Sequence, residues 1–252
     1  MIKIEQISKS FADTQVLFDI NAEFYSGKIN QIIGKSGSGK TVLLKSITGL
    51  LQPDHGKVFF NEKEFTQASI KEKKLIRQEM GLVFQGGALF TSATVEENVM
   101  FPLEMFTKMT KKEKINRVKF CLDRVNISDA NNAYPAEISG GMQKRVAIAR
   151  AIVLNPKYLF CDEPNSGLDP QTAIVIDQLI KEITMEYNIT TIINTHDMNS
   201  IMEIGDSIIY IHEGKKWWEG SKNDIFISDN KELNEFVFAS QLYKSVKEIR
   251  NG

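Results

Sequence analysis

Eight residues, Gly34-Lys35-Ser36-Gly37-Ser38-Gly39-Lys40-Thr41, have the types and the spacing to hold a chain of phosphates. The glycines let backbone N–H groups converge on phosphate oxygens with no Cβ in the way. Lys40 can reach the β- and γ-phosphates, and the Thr41 hydroxyl can ligate Mg²⁺. Apolar Ile32 and Ile33 lead into the run as a strand should. A helix expected from Thr41 to Leu50 turns its positive N-terminus toward the same anion. The pattern predicts a nucleoside triphosphate site rather than a plain glycine-rich turn.

Two further groups could act on that phosphate chain. Tyr158-Leu159-Phe160-Cys161-Asp162-Glu163 reads as an apolar strand ending in two carboxylates. Asp162 is suited to holding Mg²⁺, and Glu163, facing another way, can polarise an attacking water as a general base. The alternative for such a pair, a solvated strand end, loses ground because the pair follows a phosphate loop. Ser139-Gly140-Gly141 stands before the alanine-rich stretch Val146–Ala151. A Ser-Gly-Gly run at a helix start suits a second phosphate site, and equally suits a simple N-cap by Ser139. Of the three histidines, His196 follows the apolar run Thr191–Thr195 and so falls at the carboxyl edge of a sheet, where ligands bind. His55 and His212 have no such placement and read as structural.

The elements that must position these groups are legible in outline. Ile2–Ile7, Val16–Phe24 and Lys57–Phe60 read as strands, and residues 69–152 as mostly helical. Ile115, Val118, Leu122 and Val125 fall on one helical face. Strands return at Tyr158–Cys161, Thr190–Asn194 and Ser207–His212, with a helix over Thr172–Tyr187 between the first two. Strands separated by helices imply a parallel sheet. Residues 213–219 read as a turn into a final strand, and Leu233–Ile249 as a last helix. The 252 residues carry a net charge of −1 and only two cysteines. Nothing there pulls the chain toward nucleic acid, and no disulfide framework is expected. With no run approaching a membrane span and no signal-peptide core, the chain is expected in the cytoplasm.

These motifs together resemble the ATP-binding subunits of ABC transporters over essentially the whole length. Gly34–Thr41 matches the Walker A motif, Tyr158–Glu163 the Walker B motif, and Ile138–Met142 the LSGGQ signature. Gln85 matches the Q-loop, Ser166-Gly167-Leu168-Asp169 the D-loop, His196 the switch histidine, and Phe11 the aromatic A-loop that stacks on adenine. The resemblance implies an α/β P-loop NTPase (RecA-like) core with a parallel sheet, an antiparallel β subdomain and an α-helical signature subdomain. Residues 1–220 would form the ATPase domain, with the helical subdomain at about 87–152 and a C-terminal helical tail at 221–252.

It also implies a mechanism. Two copies would face head to tail with each ATP between the Walker A loop of one and the signature of the other. Lys40 and the loop from Gly34 to Thr41 would hold the phosphates, while Thr41, Gln85 and Asp162 order Mg²⁺. Ser139, Gly140 and Gly141 would reach the γ-phosphate from the opposite chain, and Asp169 would cross the seam. Glu163 would be the general base and His196 would hold the γ-phosphate and water.

Met142 stands where most members have glutamine, and Gln85 is followed by Gly86-Gly87-Ala88-Leu89-Phe90. That combination resembles the Mla-type ATPases of phospholipid transport between bacterial inner and outer membranes. It implies an MlaE-like integral membrane permease and an MCE-domain lipid-binding protein as partners, with the chain at the cytoplasmic face of the inner membrane. Residues 86–106 would receive the permease, with Met100, Phe101, Leu103, Met105 and Phe106 as its apolar surface or as helical core. The competing readings are an importer subunit for amino acids, metal or another small solute, and, more remotely, a soluble ABC ATPase outside transport.

Overall fold

In the computed structural model, which describes residues 1–239, two sheets share one chain. The first is antiparallel, in the order β2 (Thr14–Phe24), β1 (Ile2–Phe11), β4 (His55–Phe60), β5 (Lys63–Glu64). The second holds six strands in the order β10 (Lys215–Gly220), β9 (Ser207–His212), β3 (Ile29–Ile33), β8 (Thr190–Thr195), β7 (Tyr158–Asp162), β6 (Met80–Val83). Its strands are parallel except β10, which returns antiparallel to β9. Every residue of β3, β7 and β8 is buried, as expected of parallel strands covered on both faces.

Helices α1 (Lys40–Ile47), α2 (Ile70–Gln78), α3 (Val95–Phe106), α4 (Lys111–Arg124), α5 (Gly140–Ile152), α6 (Pro170–Glu186), α7 (Met198–Ile204), α8 (Lys222–Ile227) and α9 (Lys231–Val237), with a 3-10 turn at Pro135–Glu137, complete the described elements. One core lies where α1 and the antiparallel sheet meet the large sheet, around Phe24, Leu43, Phe60 and Phe160. A second joins α3, α4 and α5 to the sheet and α6 through Val99, Leu122, Ile148 and Ile180. Capping boxes open α2, α3 and α4 at Ser69, Thr94 and Thr110, so each start is specified locally.

Several expectations need correction. Strand β6 lies inside the stretch read as helical; only four residues long, it is too short to show a period. Helix α7 follows His196 and is too short at seven residues to stand out from its sequence. On α4 the buried face is Val118, Cys121, Leu122, with Val125 at its end, while Ile115 is exposed. Within the expected 233–249 helix, α9 ends at Val237, and positions from 240 onward lie outside the described residues. Leu233, Val237 and Phe238 are buried with Ile208 and Phe226, and Phe236 stacks on Tyr210 at 5.3 Å between centroids. The start of the tail thus packs on its own sheet. Lys108, Lys111 and Lys112 are exposed and Lys114 is partly buried.

Asp177 of α6 is buried. Its Oδ1 accepts from Asn165 Nδ2 at 2.7 Å and from Ser200 Oγ at 3.2 Å. Burial pushes its pKa up to about 6, the two hydrogen bonds oppose that shift, and Asp197 and Glu203 add to it. The charged form is therefore disfavoured in the fold, so this group's contribution to stability is present below its ordinary pKa and lost as pH rises through about 6. Asp177→Asn keeps an acceptor at Oδ1 without the charge. It should raise unfolding stability at pH 7.5 by on the order of 1–3 kcal/mol, a gain that shrinks toward pH 5. Denaturant unfolding at the two pH values checks this; a pH-independent difference would contradict it.

Candidate active site

The chemistry gathers along one edge because of strand register. β3 ends at Ile33 opposite Thr195 of β8, Asp162 of β7 lies opposite Asn194 of β8, and Val83 of β6 lies opposite Cys161. The residues immediately beyond these ends are Gly34, His196, Glu163 and, two past Val83, Gln85. Four loops with the right groups are thus brought side by side at the carboxyl edge of a parallel sheet.

The loop after β3 needs its glycines for space. At Gly34 (φ 153°) a Cβ would stand 2.3 Å from the Ile211 carbonyl oxygen and 2.7 Å from Ser38 Oγ. At Gly39 (φ 103°) it would stand 2.9 Å from Leu17 Cδ2. The loop is seated between β2 and the β9–β10 hairpin, whose Gly214 N–H donates to the Ser38 carbonyl at 3.2 Å. Lys40 is buried and its ammonium donates to the carbonyls of Gly34 (2.9 Å) and Lys35 (3.0 Å). Burial lowers its pKa, against the pull of Glu163 and Asp162. Ser38 Oγ is buried without a hydrogen-bond partner. A curled backbone, an ammonium turned into the curl and an orphaned hydroxyl fit a phosphate ligand.

The oxygen groups fit Mg²⁺ in kind. Thr41 Oγ1 donates to Asp162 Oδ1 at 3.0 Å, and Asn194 Nδ2 donates to the same oxygen at 3.1 Å. Hydroxyl and carboxylate oxygens side by side are hard donors of the sort Mg²⁺ takes with phosphate oxygens. Gln85 is not bonded to this pair: its amide donates to Ser166 Oγ at 3.0 Å, and its carbonyl accepts from the Lys144 ammonium.

Glu163 sits in the left-handed region (φ 47°), a conformation that costs a non-glycine residue energy and occurs where surrounding structure enforces it. Its N–H donates to the Asn194 carbonyl (3.0 Å) and its carbonyl accepts from Ser166 N (3.1 Å). So held, Glu163 Oε1 lies 2.9 Å from His196 Nδ1. The Glu163 side chain is mostly covered at 16% exposure, while that of His196 is open at 54%. A shielded carboxylate paired with an accessible imidazole can take a proton from water and steady a phosphate oxygen.

The signature residues belong to the helical layer. Ser139 caps α5, its Oγ accepting from Met142 N at 3.3 Å. A hydroxyl that accepts one bond keeps its own proton to donate, so the cap and a phosphate contact are compatible. Gly141 is required by close approach: a Cβ there would meet Thr172 Cγ2 at 2.6 Å. Asp169 caps α6, accepting from Gln171 N, Thr172 N and Thr172 Oγ1, and these bonds hold its carboxyl below the usual range. Ser139, Gly140, Asp169 and Phe11 are exposed. Phe11 ends β1 opposite Thr14, on the hairpin that also carries Leu17 against Gly39. His55 is exposed, and His212 packs on Trp217 at 5.6 Å, away from these groups.

Sequence reasoning missed Asn194 and two of the cations of α5, Lys144 and Arg150. Asn194 interrupts an apolar strand with an amide, and that interruption was the available signal. Lys144 reaches the Gln85 carbonyl, while Arg150 donates to the carbonyls of Gly87 and Ala88, both at 2.8 Å. Nothing in their spacing points to those carbonyls.

Gly34→Ala should lower unfolding stability by about 1–3 kcal/mol and weaken ATP binding at least tenfold, because the added carbon meets backbone. Calorimetric titration with ATP and denaturant unfolding check this, and native affinity and stability would contradict the account of the cradle.

The family model described as ABC transporter matches residues 17–166. The methionine import ATP-binding protein MetN of Clostridium tetani is 37% identical, over 96% of this chain and 76% of its own length. A probable ribonucleotide transport ATP-binding protein of Mycobacterium leprae is 34% identical, over 94% of this chain and 68% of its own. A dimeric ATP-binding cassette solved in a post-hydrolysis state with ADP and Pi superposes with a TM-score of 0.81 at 32% identity, covering 88% of this chain and 99% of that one. The chain belongs to the ABC transporter ATP-binding family: it is an ATPase coupled to transport, with ATP and Mg²⁺ as its cofactors.

Proposed function

We propose that the chain powers an integral membrane permease for import of a small solute, amino acids foremost, working as a head-to-tail dimer of two copies. The observation that carries the hydrolytic part is the meeting of Lys40, Thr41, Asp162, Glu163 and His196 along one sheet edge. Lys40 and the Gly34–Thr41 backbone bind the phosphates, and Thr41 and Asp162 hold Mg²⁺, with Gln85 turning in from Ser166. Mg²⁺, when bound, neutralises charge on the phosphate oxygens. Glu163 takes the proton of the attacking water, and His196 holds the γ-phosphate in line. Ser139, Gly140 and Gly141 of the opposite copy donate to that phosphate, and Asp169 crosses the seam. Phe11 stacks on adenine. Positioning and charge stabilisation supply most of the rate.

The import reading is supported by the identity to methionine import ATPases over nearly the whole chain. A second reading, phospholipid transport with an MlaE-like permease and an MCE-domain protein, keeps the support of Gln85–Phe90 and of Met142 after Ser139-Gly140-Gly141. Both readings use the same docking face. Phe84, Phe90, Phe101 and Phe106 line a cavity of about 360 Å³ beside the Q-loop. Of the residues singled out from the sequence, Phe101 and Phe106 are exposed there and Met105 is exposed on the same helix, whereas Met100 packs partly buried against the helical core and Leu103 is core. No helix among the described residues is long and apolar enough to cross a membrane. That fits a subunit held at the cytoplasmic face of the inner membrane through its permease.

Glu163→Gln should bind ATP yet lose turnover on the order of 100-fold or more; undiminished hydrolysis would remove Glu163 as the base. Ser139→Arg should likewise bind ATP and fail to hydrolyse it, and full activity would take the signature out of the mechanism. Purification of tagged chain from its native membranes in mild detergent separates the two transport readings. A permease recovered with solute-import components supports the first, and bound phospholipid with an MCE-domain protein overturns it.

A further inference from the structure

The buried carboxylate of Asp177 takes no part in the chemistry above, yet it touches two segments that do. Asn165, its first partner, lies two residues beyond Glu163 and directly before Ser166, which holds the Gln85 amide. Ser200, its second, lies in α7, the helix that starts two residues after His196. The Ser200 carbonyl in turn accepts from Gln31 Nε2 at 3.0 Å, and Gln31 is a fully buried residue of β3, the strand that runs into Gly34. A single side chain on α6 therefore braces the Glu163 loop against the His196 loop, with the phosphate-loop strand tied to α7 at the Ser200 carbonyl.

The bracing has a geometric purpose. Glu163 and His196 sit on loops after adjacent strands, and their 2.9 Å contact depends on how those loops lie relative to one another. Both loops have exposed members: Gly167 and Asp169 on one, His196 itself on the other. Below the surface, the Asn165–Asp177–Ser200 bonds fix their bases. Asp197 and Glu203 of the switch segment and Cys161 of β7 are the titratable groups that face Asp177 from neighbouring elements. Asn165 Nδ2 and Ser200 Oγ both donate to Asp177 Oδ1.

We propose that Asp177 is a positioning residue for ATP hydrolysis, holding the Glu163 and His196 loops in register through Asn165 and Ser200. This rests on the reading of Glu163 as base and His196 as its partner.

The test is steady-state turnover of the full chain, with kcat and KM for MgATP determined separately well below the unfolding midpoint. Asp177→Leu, similar in size but without an acceptor, should lower kcat about tenfold or more while KM stays within about twofold. Asp177→Asn, which keeps an acceptor at Oδ1, should bring kcat back to within about threefold of the native protein. A merely structural role would move KM and the unfolding midpoint together with kcat and show no such rescue, and that result overturns the inference. Should Asp177→Leu not fold, Ser200→Ala deletes one of the two bonds alone. It should lower kcat severalfold at unchanged KM, and native kcat there overturns the inference too. Glu163→Gln measured alongside separates the layers: if it hydrolyses normally, the underlying reading fails. If it is dead while Asp177→Leu turns over normally, only the role of Asp177 fails.

Discussion

The parallel register of β3, β8, β7 and β6 is the constraint on which the rest depends. Pairing of Ile33 with Thr195 and of Asp162 with Asn194 fixes where four loops begin. A slip of one residue would turn each strand's side chains to the other face and move Asp162 away from Thr41. Full burial of β3, β7 and β8 on both faces makes such a slip costly. The core and the site are therefore specified by the same pairing. Positive φ occurs at several turns of the chain, and within the site it falls at Gly34 and Gly39 of the phosphate loop and at Glu163.

What the single chain builds is half of the proposed site. Lys40, Thr41, Asp162, Glu163 and His196 are gathered within one protomer, and the donors expected to complete the phosphate's surroundings are displayed outward at Ser139 and Gly140. These two halves are linked inside the chain. Thr172 touches Asp169 on one side and crowds Gly141 on the other, so the segments that carry Asp169 and Gly141 are packed as neighbours. Lys144 and Arg150 bind α5 to the carbonyls of Gln85, Gly87 and Ala88, next to the apolar cavity proposed to receive the permease. The proposed nucleotide contacts and the proposed docking face thus meet on one helix.

Much of this is legible in the amino-acid sequence. The phosphate loop and the acidic strand end could be read because their chemistry demands particular residues at fixed spacing, and their neighbours are strands with long apolar runs. The helical subdomain was visible through its period, although the exposed Ile115 shows that one apolar residue does not define a buried face. Strand β6 and helix α7 went unread because four and seven residues carry too little pattern. Asn194, Lys144 and Asp177 act across elements far apart in sequence, which neither propensity nor spacing encodes. The substrate was least legible of all. Gln85–Phe90 and Met142 point toward phospholipid, whereas overall identity to methionine import ATPases points toward small solutes.

The claim that two copies complete one site is tested most directly by the mass of the hydrolysis-deficient chain in solution. Light scattering on Glu163→Gln should report one chain without nucleotide and two with saturating MgATP, and adding Ser139→Arg to the same chain should return it to one. A mass that stays at one chain with MgATP, or a dimer indifferent to Ser139, would contradict the composite site.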